Sequence, residues 1–230
     1  MKRNARGFTL IEIAIVLVII GLLLGGVLKG QELITGARVR NLISQQDGIK
    51  AAFFGFQDRY RALPGDYAAA STNIAGVTIT GNGNGRIEAG TGGALHEEIL
   101  VWNHLTAAGF LNGSYTMANS SVAAPAASNN PVNPYSVFLT LVYDQNYGVT
   151  AGKPQKHNLK TGSQVPVEIM AEVDRKIDDG QPDTGGFQFS TFAPTGFTAP
   201  VGVGANGCIT ASTTWDITTG STNCGGVTLY

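Results

Sequence analysis

The hydrophobic pattern of the chain is dominated by one almost wholly apolar run from Phe8 to Leu28. About 20 apolar residues in an α-helix, at ~1.5 Å per residue, cross the roughly 30 Å core of a bilayer. Past Lys29 the pattern becomes amphipathic, because apolar residues recur at helical spacing as far as Tyr60. We therefore predict one helix over residues 9–60. Its first half is expected to lie in the membrane or in the core of a filament, and its second half is expected to pack under a globular domain.

The elements predicted beyond the turn signal Pro64-Gly65-Asp66 are short. Helices are predicted over residues 94–108, with Gly109 as the cap, and 166–177; strands are predicted over 136–143 and 186–192. The Gly/Thr-rich tail from Thr195 has no strong periodicity and is predicted as loop.

A basic leader precedes the apolar run, and one acid, Glu12, lies within it. An ionised residue at the centre of a membrane helix costs about 2.5–3.5 kcal/mol, and less near the interface, so Glu12 needs a reason. A cleaved secretory signal has its small-residue cleavage site after the apolar run, whereas Gly7 precedes it here. An ordinary anchor helix explains the length and the basic flank but leaves Glu12 unexplained.

The segment Arg6-Gly7-Phe8-Thr9-Leu10-Ile11-Glu12 resembles the cleavage and methylation site of type IV prepilins and of the pseudopilins of type II secretion. The resemblance implies that a membrane-embedded aspartic peptidase cuts between Gly7 and Phe8 and methylates the new amino terminus of Phe8. The family's glutamate, five residues into the mature chain, falls on Glu12. The close match covers about the first thirty residues.

Charge pairing gives Glu12 a role in assembly. Cleavage leaves an ammonium group on Phe8, one helical turn from Glu12. Opposite charges attract strongly in hydrocarbon, whereas each charge alone is costly there. A subunit entering a filament can pair the Phe8 amine with its own Glu12 or with a neighbour's, so we expect Glu12 to set the register of assembly.

The order of the predicted elements also resembles a pilin. It implies an α+β fold in which a long N-terminal transmembrane and assembly α-helix packs on a small antiparallel β-sheet head with extra short helices. The expected division is a leader at 1–7, a transmembrane and filament-core half-helix at 8–30, an amphipathic half-helix at 31–63, and a head at 64–230 that ends in a disulfide-bounded segment.

Composition and charge bear on the compartment. The formal net charge of −1, with 13% charged residues, does not indicate a nucleic-acid-binding protein. Lys2, Arg3 and Arg6 keep the leader cytoplasmic by the positive-inside rule, so the residues after the span lie outside. In an oxidising compartment Cys208 and Cys224 would form a disulfide, whereas in the cytosol they would be free thiols or half of a metal site.

An acidic turn is the candidate metal site. Four carboxylates, those of Asp174, Asp178, Asp179 and Asp183, fall at the end of a predicted helix. Acids there oppose the helix dipole, and Ca²⁺, which takes about six to eight oxygen ligands, would relieve the repulsion. The alternative is a turn in which neighbouring basic residues offset the acids and a glycine caps the helix.

Other candidate chemistry is weaker. The run 81–88 resembles a calcium loop without an acid at its first or last ligand position, Thr80 or Thr91, so a tight turn is predicted. His96 and His104 lie two turns apart on a predicted helix, too far to share a metal, and are expected to be solvated or capping. We find no catalytic set and expect no enzyme.

These observations favour a structural subunit of a type IV pilus or pilin-like filament, assembling through its N-terminal hydrophobic helix after leader cleavage. The alternatives are a type II secretion pseudopilin and a membrane-anchored binding protein that does not polymerise. The implied partners are other pilin-like subunits in a homo- or hetero-polymer, the prepilin peptidase/methylase and the inner-membrane assembly machinery. The protein is expected in the inner membrane with its head in the periplasm, and then in an extracellular pilus or a periplasmic pseudopilus.

Overall fold

The structure is a computed structural model that describes residues 9–90, 95–122, 124–211 and 214–230. The chain divides into two compact units, residues 1–38 and 39–230. Helix α1 spans Leu10–Tyr60 and is the one element described in the first unit; from Val39 onward its side chains belong to the second unit. The single long helix predicted from the apolar and amphipathic patterns is thereby confirmed.

By length and composition, helix α1 is long and apolar enough to cross a membrane. None of the residues in its most apolar 18-residue segment is buried. At its other end the helix stops at Tyr60, and Arg61 takes a left-handed conformation with φ of 52°. A non-glycine residue rarely adopts this conformation, and it turns the chain out of the helix before Pro64.

A four-stranded antiparallel sheet forms the centre of the second unit. Its strands are β1 (Thr140–Asp144), β2 (Lys156–Lys160), β3 (Phe187–Phe189) and β4 (Gly226–Leu229), in the spatial order β1-β2-β4-β3. The last strand in the sequence therefore lies inside the sheet, between β2 and β3. The fold is α+β and pilin-like, with the small antiparallel sheet that was expected.

The register assigns the side chains of β1 and β2 to two faces. Leu141 pairs with Leu159, and both are fully buried in a cluster with Phe53 and Phe56 of α1. We call this the inner face. Because side chains alternate along a strand, the residues between these two positions point the other way, to what we call the outer face.

The described part of the second unit also contains three short helices, α2 (Ala70–Asn73), α3 (Glu97–Ala107) and α4 (Val167–Ile177). Trp102 and Leu105 of α3 are fully buried in the same cluster as the inner face. After α3, Gly109 has φ of 80° and Phe110 N–H donates to the Leu105 carbonyl at 2.9 Å, so the predicted cap at Gly109 is present. Helix α4 packs in a second cluster with Val39 of α1 and the two cysteines.

Candidate assembly site and acidic turn

A reciprocal set of hydrogen bonds between Thr9 and Glu12 closes the first turn of α1. The Thr9 N–H donates to Glu12 Oε2 at 2.7 Å, and the Thr9 hydroxyl donates to the same oxygen at 2.8 Å. The Glu12 N–H donates in return to Thr9 Oγ1 at 3.3 Å. This is a capping box, which satisfies two of the N–H groups that the start of a helix leaves without partners.

The cap gives Glu12 a local role that the charge-pair prediction missed, although Thr-x-x-Glu before an apolar run is the signature of a capping box. Both donations from Thr9 go to Oε2, so within the described residues Oε1 has no hydrogen-bond partner. One oxygen of the carboxylate therefore holds the helix start while the other is free for a second donor. The predicted cleavage and methylation site, Gly7 and Phe8, lies outside the described residues.

The helix that follows Glu12 presents an apolar surface that no other part of the described chain covers. Large apolar side chains from Leu10 to Leu28 are between 46% and 88% exposed. Gly21, Gly25 and Gly26 have no atom within 4 Å of a Cβ built on them, so this surface also has close-approach positions. At this level of exposure the segment is suited to a lipid or to the same segment of other subunits.

The acidic turn follows α4, and the structure brings three of its four predicted carboxylates together. Oxygens of Asp174, Asp178 and Asp179 lie within 4.8 Å of one another, an arrangement that could hold a metal ion. Asp174 is fully buried, and burial raises its pKa to about 6. Its Oδ2 accepts the Trp215 indole N–H at 2.6 Å and its Oδ1 accepts the Gly180 N–H at 3.2 Å.

The two exposed acids of the turn also have donors from the turn itself. Asp178 Oδ2 accepts the N–H groups of Gly186 and Phe187 at 2.5 and 2.7 Å. Asp179 Oδ1 accepts the Gln181 N–H at 2.8 Å. A cation would therefore share these oxygens with donors already present, and the calcium hypothesis stays a prediction.

The fourth predicted ligand, Asp183, belongs to another set of contacts. Its Oδ1 accepts the Val149 N–H at 2.6 Å and lies 3.1 Å from Lys153 Nζ, and its carboxylate also takes the Thr150 hydroxyl. Although burial opposes it, these donors hold the pKa of Asp183 at about 2. The structure thus separates Asp183 from the three-carboxylate cluster.

The glycine-rich run 81–88 is organised by two acids from elsewhere in the sequence. Asp66 accepts the N–H groups of Asn84 and Gly85 at 2.9 and 2.8 Å, and Glu97 accepts the Asn82 N–H at 2.9 Å. Burial raises the pKa of Glu97 to about 7. The predicted turn is present, but the acids that shape it could not be found by reading a contiguous loop. Thr91 lies outside the described residues.

The two helical histidines are buried, so the expectation of solvated side chains was wrong. His104 is fully buried: its Nδ1 accepts the Gly65 N–H at 3.0 Å and its Nε2 lies 3.1 Å from the Ile79 carbonyl. The two contacts together fix the neutral tautomer with hydrogen on Nε2. Burial lowers its pKa to about 4. His96 pairs instead with Glu98 at 2.7 Å.

Cys208 and Cys224 form a disulfide across 16 residues, and both are fully buried. On the chain-entropy model a loop of about this length stabilises a domain by ~3 kcal/mol. The loop contains Trp215, whose indole binds Asp174 at the end of α4. The disulfide therefore closes a loop within the tail, and the hydrogen bond from Trp215 ties that loop to the buried carboxylate at the end of α4.

Comparison with known protein families gives a match at the N-terminal segment of the chain. Residues 2–28 match the family model described as the prokaryotic N-terminal methylation motif. The chain matches no curated protein and no solved structure. The match covers the basic leader and the apolar start of α1, which is the segment that contains Glu12.

Proposed function

We propose that this chain, which carries the N-terminal methylation signature of type IV pilins and pseudopilins, is a structural subunit of a type IV pilus or pilin-like filament. The observation that carries the proposal is the coincidence of that motif with an exposed apolar helix that begins at Glu12's capping box. A membrane anchor needs the apolar length alone, whereas the motif and the acid are what processing and assembly require.

Leader cleavage between Gly7 and Phe8 creates the charge that assembly uses. The Phe8 ammonium lies one residue before Thr9, whose N–H and hydroxyl occupy only Oε2 of Glu12. Oε1 then accepts an ammonium, from the same chain or from an adjacent subunit, without opening the cap. Pairing neutralises both charges in the apolar filament core and fixes the axial position of one subunit against the next.

The proposed processing and assembly also imply the partners and the compartments of this protein. The prepilin peptidase/methylase removes the leader and methylates Phe8 in the inner membrane, with the head in the periplasm. The inner-membrane assembly machinery then adds the subunit to other pilin-like subunits. The buried disulfide and the low charge of the head, with 13% charged residues in the chain, suit an extracellular filament.

Substitution of Glu12 tests the proposal. Glu12→Leu makes the span fully apolar and leaves the Gly7–Phe8 junction intact, so we expect processed, membrane-bound protein without filaments. Glu12→Gln keeps an acceptor for Thr9 but loses the charge, and we expect it also to fail in assembly. Glu32→Gln, at an exposed acid beyond the apolar run, should assemble normally.

Intact-mass measurement reports on leader cleavage and methylation, and electron microscopy reports on filament assembly. Wild-type protein should start at a methylated Phe8, and a Met1 leader in assembled material would overturn the processing step. Normal filaments from Glu12→Leu would overturn charge pairing, and normal filaments from Glu12→Gln alone would assign Glu12 to capping. Periplasmic retention of exoproteins on deletion would identify a pseudopilin, and a wild-type protein that never polymerises would identify a membrane-anchored binding protein.

A further inference from the structure

The outer face of the sheet carries a buried row of polar side chains. Thr140 pairs with Lys160 and Val142 pairs with Asn158, and Asp144 follows at the end of β1 on the same face. Lys160 is 2% exposed and Asn158 is fully buried. A sheet face covered in this way is usually apolar, so these polar groups need a physical reason.

An ion pair lies at the centre of this row, in which Lys160 is buried and the side chain of Asp144 is 21% exposed. Lys160 Nζ is 2.9 Å from Asp144 Oδ2 and donates to the Asn146 carbonyl at 2.9 Å. Burial lowers the pKa of Lys160. An ion pair with a buried lysine rarely adds net stability compared with an apolar pair of the same volume, because the buried ammonium loses its hydration. Stability therefore does not explain why Lys160 and Asp144 are here.

A cavity of about 250 Å³ opens beside the pair. Its polar lining includes Lys160 and Asp144 from the sheet, Glu98 from α3, and Asn130. Asn130 is 2% exposed, and its Oδ1 is buried without a hydrogen-bond partner among the described residues. A buried acceptor without a donor destabilises the protein, and a bound donor would recover that cost.

The remaining walls of the cavity are apolar. Ile99 and Val142 are buried, and Phe192 and Pro194 line the cavity from the segment after β3. Pockets for small ligands typically combine such walls with a few convergent polar groups. Drug-sized ligands take about 300–1,000 Å³, so a cavity slightly below that range suits a single small ring.

We propose that this cavity binds one neutral sugar ring. Asn130 Oδ1 requires a donor, while the carboxylates of Asp144 and Glu98 already accept from Lys160 and His96 and have lone pairs left for one more donor each. Hydroxyl groups supply such donors without adding a charge beside the ion pair. The ring carbons of a pyranose fit the apolar walls formed by Ile99, Val142 and Phe192.

Saturation-transfer NMR on the full chain tests the site. The protein is held in a zwitterionic detergent without a sugar headgroup, and the probes are the methyl pyranosides of glucose, galactose and mannose, with glycerol as the small-polyol control. We expect transfer to the ring protons of at least one glycoside and none to glycerol. Absence of transfer to all three glycosides overturns the proposal.

Two substitutions connect the signal to the cavity. Glu98→Gln removes one carboxylate at constant shape and should weaken binding about tenfold, as expected for a lost hydrogen bond to a charged acceptor. Lys160→Met leaves the Asp144 carboxylate without its ion-pair partner in the wall of the cavity and should abolish transfer. Glu168→Gln, on the exposed side of α4, is the matched control and should bind like wild type. Unchanged affinity in folded Glu98→Gln protein overturns the assignment even where Lys160→Met fails to fold.

Disaccharide probes distinguish two possible ligands, a free monosaccharide and the terminal residue of a glycan. Maltose, lactose and cellobiose carry the same rings with a second ring attached. Transfer confined to the non-reducing ring identifies the terminal residue of a glycan as the ligand, whereas exclusion of disaccharides identifies a free monosaccharide. Equal transfer to both rings contradicts a cavity for one ring.

Discussion

The hydrogen bond between Trp215 and Asp174 should contribute a pH-dependent part of the stability of the head. Asp174 is fully buried, and its Oδ2 accepts the indole N–H at 2.6 Å. A hydrogen bond to a charged acceptor is worth about 1.5–3 kcal/mol, against ~0.5–1.5 kcal/mol for a neutral one. Trp215→Phe removes the donor and keeps an aromatic ring in place.

The pKa of Asp174, raised by burial to about 6, sets the pH range of the effect. At pH 8 the folded protein holds a carboxylate, so we expect the loss of the bond to lower the free energy of unfolding by about 2 kcal/mol. At pH 5 the folded carboxyl is largely protonated, and the loss should fall to about 1 kcal/mol. Because the folded-state pKa is raised, the stability linked to Asp174 protonation is present at low pH and is lost as the pH rises through about 6.

Trp102→Phe is the matched control. Trp102 is fully buried, and its indole nitrogen has no hydrogen-bond partner among the described residues. Its loss should cost only packing, by the same amount at pH 5 and pH 8. Each variant keeps one tryptophan in the second unit, so urea unfolding of the full chain in detergent can be followed by fluorescence. A Trp215→Phe cost that is equal at the two pH values would refute the reasoning.

Two further predictions concern calcium binding by the acidic turn and the loss of stability at low pH that His104 causes. We expect millimolar calcium to raise the melting temperature of the full chain through Asp174, Asp178 and Asp179, and Asp178→Asn to abolish the rise; a wild-type melting temperature indifferent to calcium leaves a plain turn. Because burial lowers the pKa of His104 to about 4, from an ordinary value of 6.5, its contribution is present above pH 6.5 and should be lost as the pH falls through 4. The difference corresponds to about 3 kcal/mol, and His104→Gln should flatten the dependence of the melting temperature on pH in that range.

The long helix and the N-terminal signature could be predicted because their signals are local. The apolar run of α1 is continuous, and the Gly7–Phe8 motif with Glu12 lies within a few residues. The disulfide followed from the presence of only two cysteines in a chain expected to be exported. The capping signature Thr-x-x-Glu that begins at Thr9 is an equally local signal for the hydrogen bonds found between Thr9 and Glu12.

The strands β2 and β4 could not be predicted because their stability comes from pairing. Strand β2, Lys156–Lys160, is mostly polar and has the sequence Lys-His-Asn-Leu-Lys. On its outer face Lys156 is exposed, whereas Asn158 and Lys160 are buried because other segments cover them. Strand β4 begins at Gly226 in a tail that looked like loop, and becomes a strand through neighbours on both sides.

Contacts between distant residues account for the misplaced site residues. Asp183 was grouped with the acidic turn on proximity in sequence, yet it binds Val149 and Thr150, more than thirty positions away. His104 was expected at the surface, but Gly65 and Ile79 enclose its ring. Burial of this kind depends on which segments meet in three dimensions, and hydrophobic periodicity carries no information about that for isolated polar residues.

The position of β4 imposes an order on biosynthesis. A chain is made from its N-terminus, and residues 226–229 emerge after the other three strands, yet they separate β2 from β3 in the finished sheet. Until they arrive the strands on either side have no partner between them, so the sheet cannot close before β4 has been made. The apolar part of α1, at the other end of the sequence, is made well before that point. A chain truncated before Gly226, or a fusion that strains Tyr230 away from its packing on Phe53, would leave an anchored subunit with an open sheet for quality-control proteases to remove.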